Sequence, residues 1–203
     1  MTRTLRMPAA LGEAARAAAA GRLVVFPTDT VYGVGTNGLL PEAVERIYAA
    51  KGRDARKPLP ILIKSAVEAR RWVTFTPAAE ALARAFWPGP LTLVLRPTEE
   101  GLRLVLPGFK TLAVRVPAHE TSLALLAASG VPWATTSANR SGEPAAADAA
   151  AASAALGDAV DWVVDAGRCG GMESSVVDAT GDVVRVLREG ALSRSRLEAG
   201  AVQ

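Results

Sequence analysis

The stretch "LVVFPTDTVYGVGTNG", Leu23–Gly38, decides between two folds. Its second half reads letter for letter as G-x-G-x-x-G, through Gly33, Gly35 and Gly38, the phosphate-binding turn of dinucleotide enzymes. Its first half is an apolar run of strand length. A dinucleotide fold needs that strand to run straight into the first glycine. A helix must then begin near the second, so that its amides face the pyrophosphate. Here Asp29, Thr30, Val31 and Tyr32 intervene before Gly33, and the next helix start is Pro41, a good first-turn residue in "PEAVERIYAAKG". No acidic residue ends a second strand about twenty residues on, where a ribose would need one. The dinucleotide fold is set aside, and the glycines are read as a loop passing close beneath a ligand.

Outward from this stretch, apolar runs of strand length alternate with helical stretches. Strands are expected at Leu23–Thr28, Leu59–Lys64, Leu91–Arg96, Leu112–Val116, Trp133–Thr136, Trp162–Asp165, Ser175–Ala179 and Val183–Leu187. Helical patterns cover about Gly12–Ala20, Pro41–Ala50, Ala66–Trp72, Pro77–Phe86 and Thr121–Ala128. The interleaving implies an α/β domain with a largely buried sheet flanked by helices. The last two strands, split by "ATGD", form a plausible hairpin, so parallel and antiparallel strands are expected together. The alanine-rich "EPAAADAAAASAALGD" is either a surface helix or a mobile flap. With no repeat or linker, residues 1–203 are expected to form one domain.

Composition excludes several classes of function. One cysteine, Cys169, rules out an internal disulfide and points to a reducing compartment. With a single histidine, His119, there is no His/Cys cluster for zinc or iron, and no protein-held metal is expected. His119 is read as a surface or capping residue. Net charge is +3, too small and dispersed to define a nucleic-acid binder outright. The alanines near the N-terminus could pass for a signal peptide, but Glu13 and Arg16 interrupt them, and no run reaches membrane-spanning length. A cytoplasmic protein without a membrane partner is expected.

Four polar segments interrupt the apolar pattern. In "PTDTVYGVG", Thr28, Asp29 and Thr30 end a strand; Asp29 fits turn chemistry, while the hydroxyls also suit a small polar ligand. In "KGRDARKP", Lys51 and Arg53 bracket Gly52 where a helix ends. That is ordinary capping chemistry, yet four cations within seven residues repel unless an anion lies among them. "TTSANRSGEP" places Thr135, Thr136, Ser137 and Asn139 at a strand end, at the carboxyl edge of the sheet where ligands of α/β folds bind. "GGMESSVVD" and "VLREG" contribute Ser174, Ser175 and Arg188. Arg115 lies inside the apolar strand of "LAVRVPAH", where an arginine needs an anion. Hydroxyls, amides and cations without a nucleophile or acid–base pair fit chemistry done by positioning and charge neutralisation, as in transfer at a phosphate.

These segments resemble the YrdC/TsaC family of L-threonylcarbamoyladenylate synthases. "FPTDTVYGVG", "KGR…KPL", "WPGPLTLVL", "LAVRVPAH", "TTSANRSGEP" and "ESSVVDATGDVVRVLREGAL" match its pattern in order, over about residues 23–192. The resemblance implies a twisted open mixed parallel/antiparallel sheet flanked by helices. It also implies formation of threonylcarbamoyl-AMP and pyrophosphate from L-threonine, bicarbonate or CO2, and ATP carried with Mg2+. The product would pass to the machinery that transfers threonylcarbamoyl to tRNA beside the anticodon, and contact with tRNA or double-stranded RNA would fit. By the resemblance, Thr30, Arg115, Thr135 and Ser174 contact threonine. Lys51, Arg53, Lys57, Thr111, Ser137, Asn139 and Arg188 serve ATP, with Lys51 and Arg53 catalytic. Leu62 stands where some relatives place a threonine-contacting histidine, so no such contact is expected. A carbamoyl-transfer domain of the same fold and an RNA-binding module are the alternatives.

Overall fold

The computed structural model describes residues 3–6, 10–104 and 106–201. Its strands are β1 (Arg3–Arg6), β2 (Val24–Phe26), β3 (Gly33–Asn37), β4 (Ile61–Leu62), β5 (Val73–Thr74), β6 (Leu91–Pro97), β7 (Leu112–Arg115), β8 (Trp133–Ser137), β9 (Trp162–Asp165), β10 (Ser175–Asp178) and β11 (Arg185–Arg188). Helices are α1 (Ala10–Ala19), α2 (Pro41–Lys51), α3 (Ala66–Trp72), α4 (Pro77–Phe86), α5 (Glu120–Ser129), α6 (Ala149–Leu156) and α7 (Arg194–Gly200). The sheet runs in the order β1-β9-β2-β3-β8-β4-β7-β6-β10-β11, with β5 against β6. Parallel pairs such as β6 with β10 adjoin antiparallel ones such as β3 with β8, and β10 and β11 make the expected hairpin. The mixed sheet flanked by helices is as the sequence implies.

The opening stretch reads differently in the fold. Gly33–Asn37 is not a loop but a fully buried central strand, antiparallel to β2 on one side and β8 on the other. Glycine is a poor strand former, so its pattern reads as punctuation. Here the need is steric. A Cβ on Gly35 would sit 2.8 Å from Thr135 Cγ2 and 3.1 Å from both the Phe26 and Trp133 rings. Those rings meet edge to face, 5.1 Å apart at 89°, an arrangement that adds about 0.5–1.5 kcal/mol beyond burial. Phe26 and Trp133 belong to the smaller of two cores, under α1 and α5; the larger lies on Ile47, Trp72, Leu82 and the strand side chains facing them.

Local chemistry sets the helix ends. Pro41 opens α2, and Gly52 closes it at φ 60°, a left-handed conformation that a side chain would strain. Ser65, Thr76 and Asp148 cap α3, α4 and α6 with side-chain oxygens. His119 caps α5, its Nδ1 accepting from Thr121 N at 3.2 Å, in line with the capping reading. The alanine-rich segment is a helix, not a flap, with Ala149, Ala152 and Leu156 buried. The carbonyls before it are clips: Ala146 O accepts from Tyr32 N and Ala147 O from Cys169 N, both at 2.8 Å. No helix among the described residues is long and apolar enough to cross a membrane.

Candidate active site

A cavity of about 330 Å³ opens across the face of the sheet. Residues of β2, β3, β4, β6, β7, β8, β10 and β11 line it, so the ligand space is not confined to the carboxyl edge where it was expected. Thr30, Arg115, Thr135 and Ser174 meet there, and so do Arg53, Ser137 and Arg188. Leu62 adds an apolar wall.

Thr30 follows β2 and is fixed by Thr28. The Thr28 hydroxyl donates to Val31 O at 2.7 Å and accepts from the Thr30 and Val31 amides. Its hydrogen being used, the 2.9 Å contact between the two hydroxyls must have Thr30 as donor. Arg115 Nη1 then donates to Thr30 Oγ1 at 3.0 Å. What Thr30 still offers is a lone pair. Thr135 is in the same condition, since its hydroxyl donates to Pro60 O at 3.1 Å. The two threonines therefore present acceptors, and a ligand must bring the hydrogens.

Arg115, at the end of β7, already has its anion. Nη2 donates to Asp29 Oδ1 at 2.6 Å, and the pair is 7% and 14% exposed. Asp29 Oδ1 also accepts from Ala118 N, so the aspartate read as turn chemistry is the counter-ion the strand arginine needs. Nε donates to Gly89 O at 3.0 Å. Three of the five guanidinium N–H groups are used, which leaves one on each terminal nitrogen. Burial pushes the Arg115 pKa below its usual range, and Asp29 opposes that push.

Lys51 is placed otherwise than expected. The sequence reading sets it against phosphate, yet its side chain is buried and does not line the cavity. Its ammonium donates to the backbone carbonyls of Ser137 and Asn139 and, at 3.3 Å, to Asn139 Oδ1. Burial and neighbouring Arg53 push its pKa down to about 8, against the pull of Glu173 and Glu143. Asn139 is likewise turned inward, its amide donating to Arg140 O and Glu143 O. Together they clamp the turn beneath Ser137 onto the end of α2. Lys57 is exposed and Thr111 half-buried, both outside the cavity. The crowding of cations after α2 is partly resolved inside the protein, because Arg56 pairs with Asp54 at 2.7 Å. Arg53 remains on the cavity, held through Nη2 by Pro58 O at 3.2 Å.

Ser174 precedes β10, and its hydroxyl meets Thr92 Oγ1 at 3.0 Å. Arg188 grips Ser174 O through Nε at 3.1 Å and Nη2 at 2.8 Å, while Nη1 pairs with Glu173 at 2.8 Å. Glu173 and Thr92, both on the cavity, were not singled out in the sequence; Glu173 stood in plain view beside Ser174. The grip depends on Gly190. Its amide donates to Ser175 Oγ, and a Cβ there would lie 2.7 Å from Ser174 C and O and closer still to Glu173 O. Gly190→Ala must push the end of β11 away from backbone that cannot yield. It is expected to lower stability by about 1–3 kcal/mol, read as a shift in the urea midpoint. An unchanged midpoint would mean that the two segments part freely.

Three comparisons bear on this geometry. The Sua5/YciO/YrdC family model, described as "Telomere recombination", matches residues 16–190. Proteins named threonylcarbamoyl-AMP synthase from Pyrococcus abyssi and Bacillus subtilis are 43% and 37% identical, over 88% and 93% of this chain. The chain spans about half the length of these relatives, 53% and 56%. The crystal structure of P. abyssi Sua5 complexed with L-threonine superposes with a TM-score of 0.91 at 39% identity, covering 98% of this chain and 60% of that one.

Proposed function

The chain belongs to the Sua5/YciO/YrdC family, and from that premise we propose that it is a threonylcarbamoyl-AMP synthase, a nucleotidyltransferase acting on L-threonine, bicarbonate or CO2, and ATP. One observation carries the reading. Hydroxyl lone pairs and guanidinium N–H groups share one cavity, which suits a hydroxy amino acid beside a polyphosphate. The names of the relatives and the threonine bound to P. abyssi Sua5 support it.

Threonine's carboxylate takes the two N–H groups that Arg115 has free, a bidentate contact. Its hydroxyl donates to a lone pair of Thr30 or Thr135, with Ser174 alongside. The amine, having given its ammonium proton to solvent, forms a bond to the carbon of CO2 and sheds a second proton to solvent, and an oxygen of the resulting carbamate attacks the α-phosphorus of ATP. The bond to pyrophosphate breaks in line, leaving threonylcarbamoyl-AMP. Arg53 and Arg188 meet the charge that moves onto the leaving phosphates, and Ser137 offers a hydroxyl beside them. Lys51 and Asn139 act one layer back as positioning residues that hold Ser137. Lys57 extends the positive surface outside the cavity; nothing in the structure gives Thr111 a part. Magnesium enters on the triphosphate and lowers its charge. The product, a reactive mixed anhydride, is consumed by a cytoplasmic transfer step onto tRNA.

Purified protein is expected to release pyrophosphate from ATP only when L-threonine and bicarbonate are both present. Release independent of threonine would overturn the assignment in favour of a carbamoyl-transfer domain. None under any condition would favour a binding module.

A further inference from the structure

Free L-threonine carries three recognition groups, and the reading above accounts for two of them. The carboxylate has Arg115 and the hydroxyl has Thr30 and Thr135, but the α-ammonium has no partner. Among the described residues lining the cavity, Glu173 is the one carboxylate; three guanidiniums, those of Arg53, Arg115 and Arg188, share the space with it. Its main chain is pinned, its carbonyl accepting from Ala191 N at 2.9 Å, while its carboxylate lies on the cavity.

Resting on that reading, we propose that Glu173 is the receptor for the substrate's α-ammonium, and that it reaches this role by exchanging partners with Arg188. In the structure its Oε2 accepts from Arg188 Nη1 at 2.8 Å, and the two side chains are 43% and 44% exposed. A pair this exposed contributes little to stability and opens at little cost. Arg188 does not drift when it opens, because Nε and Nη2 stay on Ser174 O. Only Nη1 is released, towards a phosphate of ATP. The ammonium then takes the carboxylate. The nitrogen, which attacks CO2 once its ammonium proton has passed to solvent, is thereby held on the same side of the cavity as the cations that receive the phosphates.

The test swaps one group on each partner. Calorimetric titration would compare L-threonine with (2S,3R)-2,3-dihydroxybutanoate, which carries a hydroxyl in place of the ammonium, on wild type and Glu173→Gln. The variant is expected to lose roughly ten- to a hundred-fold in threonine affinity, the size of a charge-assisted hydrogen bond. Affinity for the dihydroxy acid should stay within about two-fold, since its contacts are unchanged. A merely structural role for Glu173 would weaken both ligands alike. Equal losses, or none, would overturn the ammonium assignment while leaving the synthase reading intact. Wild type that binds no threonine would overturn the synthase reading, and this inference with it.

Discussion

Arg115→Met should unfold about 3–5 kcal/mol more easily than wild type, because it strands the Asp29 carboxylate in a buried site with no counter-ion. The same change should raise the threonine requirement by roughly a hundred- to a thousand-fold, since the carboxylate loses its fork. The two losses can be separated. Adding Asp29→Asn keeps an acceptor for Ala118 N and removes the orphaned charge, so the double variant should regain most of the stability. It should regain none of the threonine affinity. Urea unfolding and threonine-dependent pyrophosphate release, measured on both variants, check the two halves. A double variant that folds well and turns over threonine normally would reduce Arg115 to a structural residue.

Valine should be rejected by about four to five orders of magnitude in kcat/KM, while serine should fall only about 10- to 200-fold below threonine. Selection depends on where the hydrogens point. The Thr30 hydroxyl gives its hydrogen to Thr28, and that of Thr135 goes to Pro60 O, so each faces the cavity as an acceptor. Serine brings a donor and lacks only a methyl, whose loss costs a modest transfer energy. Valine fits the shape and brings no hydrogen, leaving buried oxygens without a partner. Initial rates of amino-acid-dependent pyrophosphate release over a concentration series give the order. Valine outperforming serine would mean that the wall formed by Leu62, not the hydroxyls, selects the substrate.

The sequence was most informative where local chemistry and fold agree. α3 and α4 carry side-chain caps, and α2 and α4 begin at prolines; their periodic apolar faces do the rest. β3 was hidden because its glycines answer to Phe26, Trp133 and Thr135, none of which adjoins it in sequence. The short β5, two residues against β6, has too little chain to show a period. For the cavity, residue type revealed which side chains can meet a polar ligand and not which way they turn. Thus Arg53 lies on the cavity, while Lys51, two residues earlier at the last turn of α2, points into the carbonyls beneath Ser137. Asp29 by residue type suits a turn, and the demand of Arg115 for an anion is the one sequence signal of its second role.

The parallel pairing of β6 with β10 has a consequence for synthesis. Thr92 and Ser174, whose hydroxyls touch, are 82 residues apart in the chain. At roughly 5–20 residues per second, a ribosome needs roughly 4–16 s to cover that distance. Throughout it, one edge of β6 waits without its neighbour, offering unpaired amides and carbonyls beside Leu91 and Leu93 to any strand that arrives first. A nascent chain that has emerged only as far as β9 already holds Thr30, Arg115 and Thr135 but lacks the wall that carries Ser174 and Arg188. The complete cavity, and any stabilisation that a ligand in it brings, arrives only with those last strands.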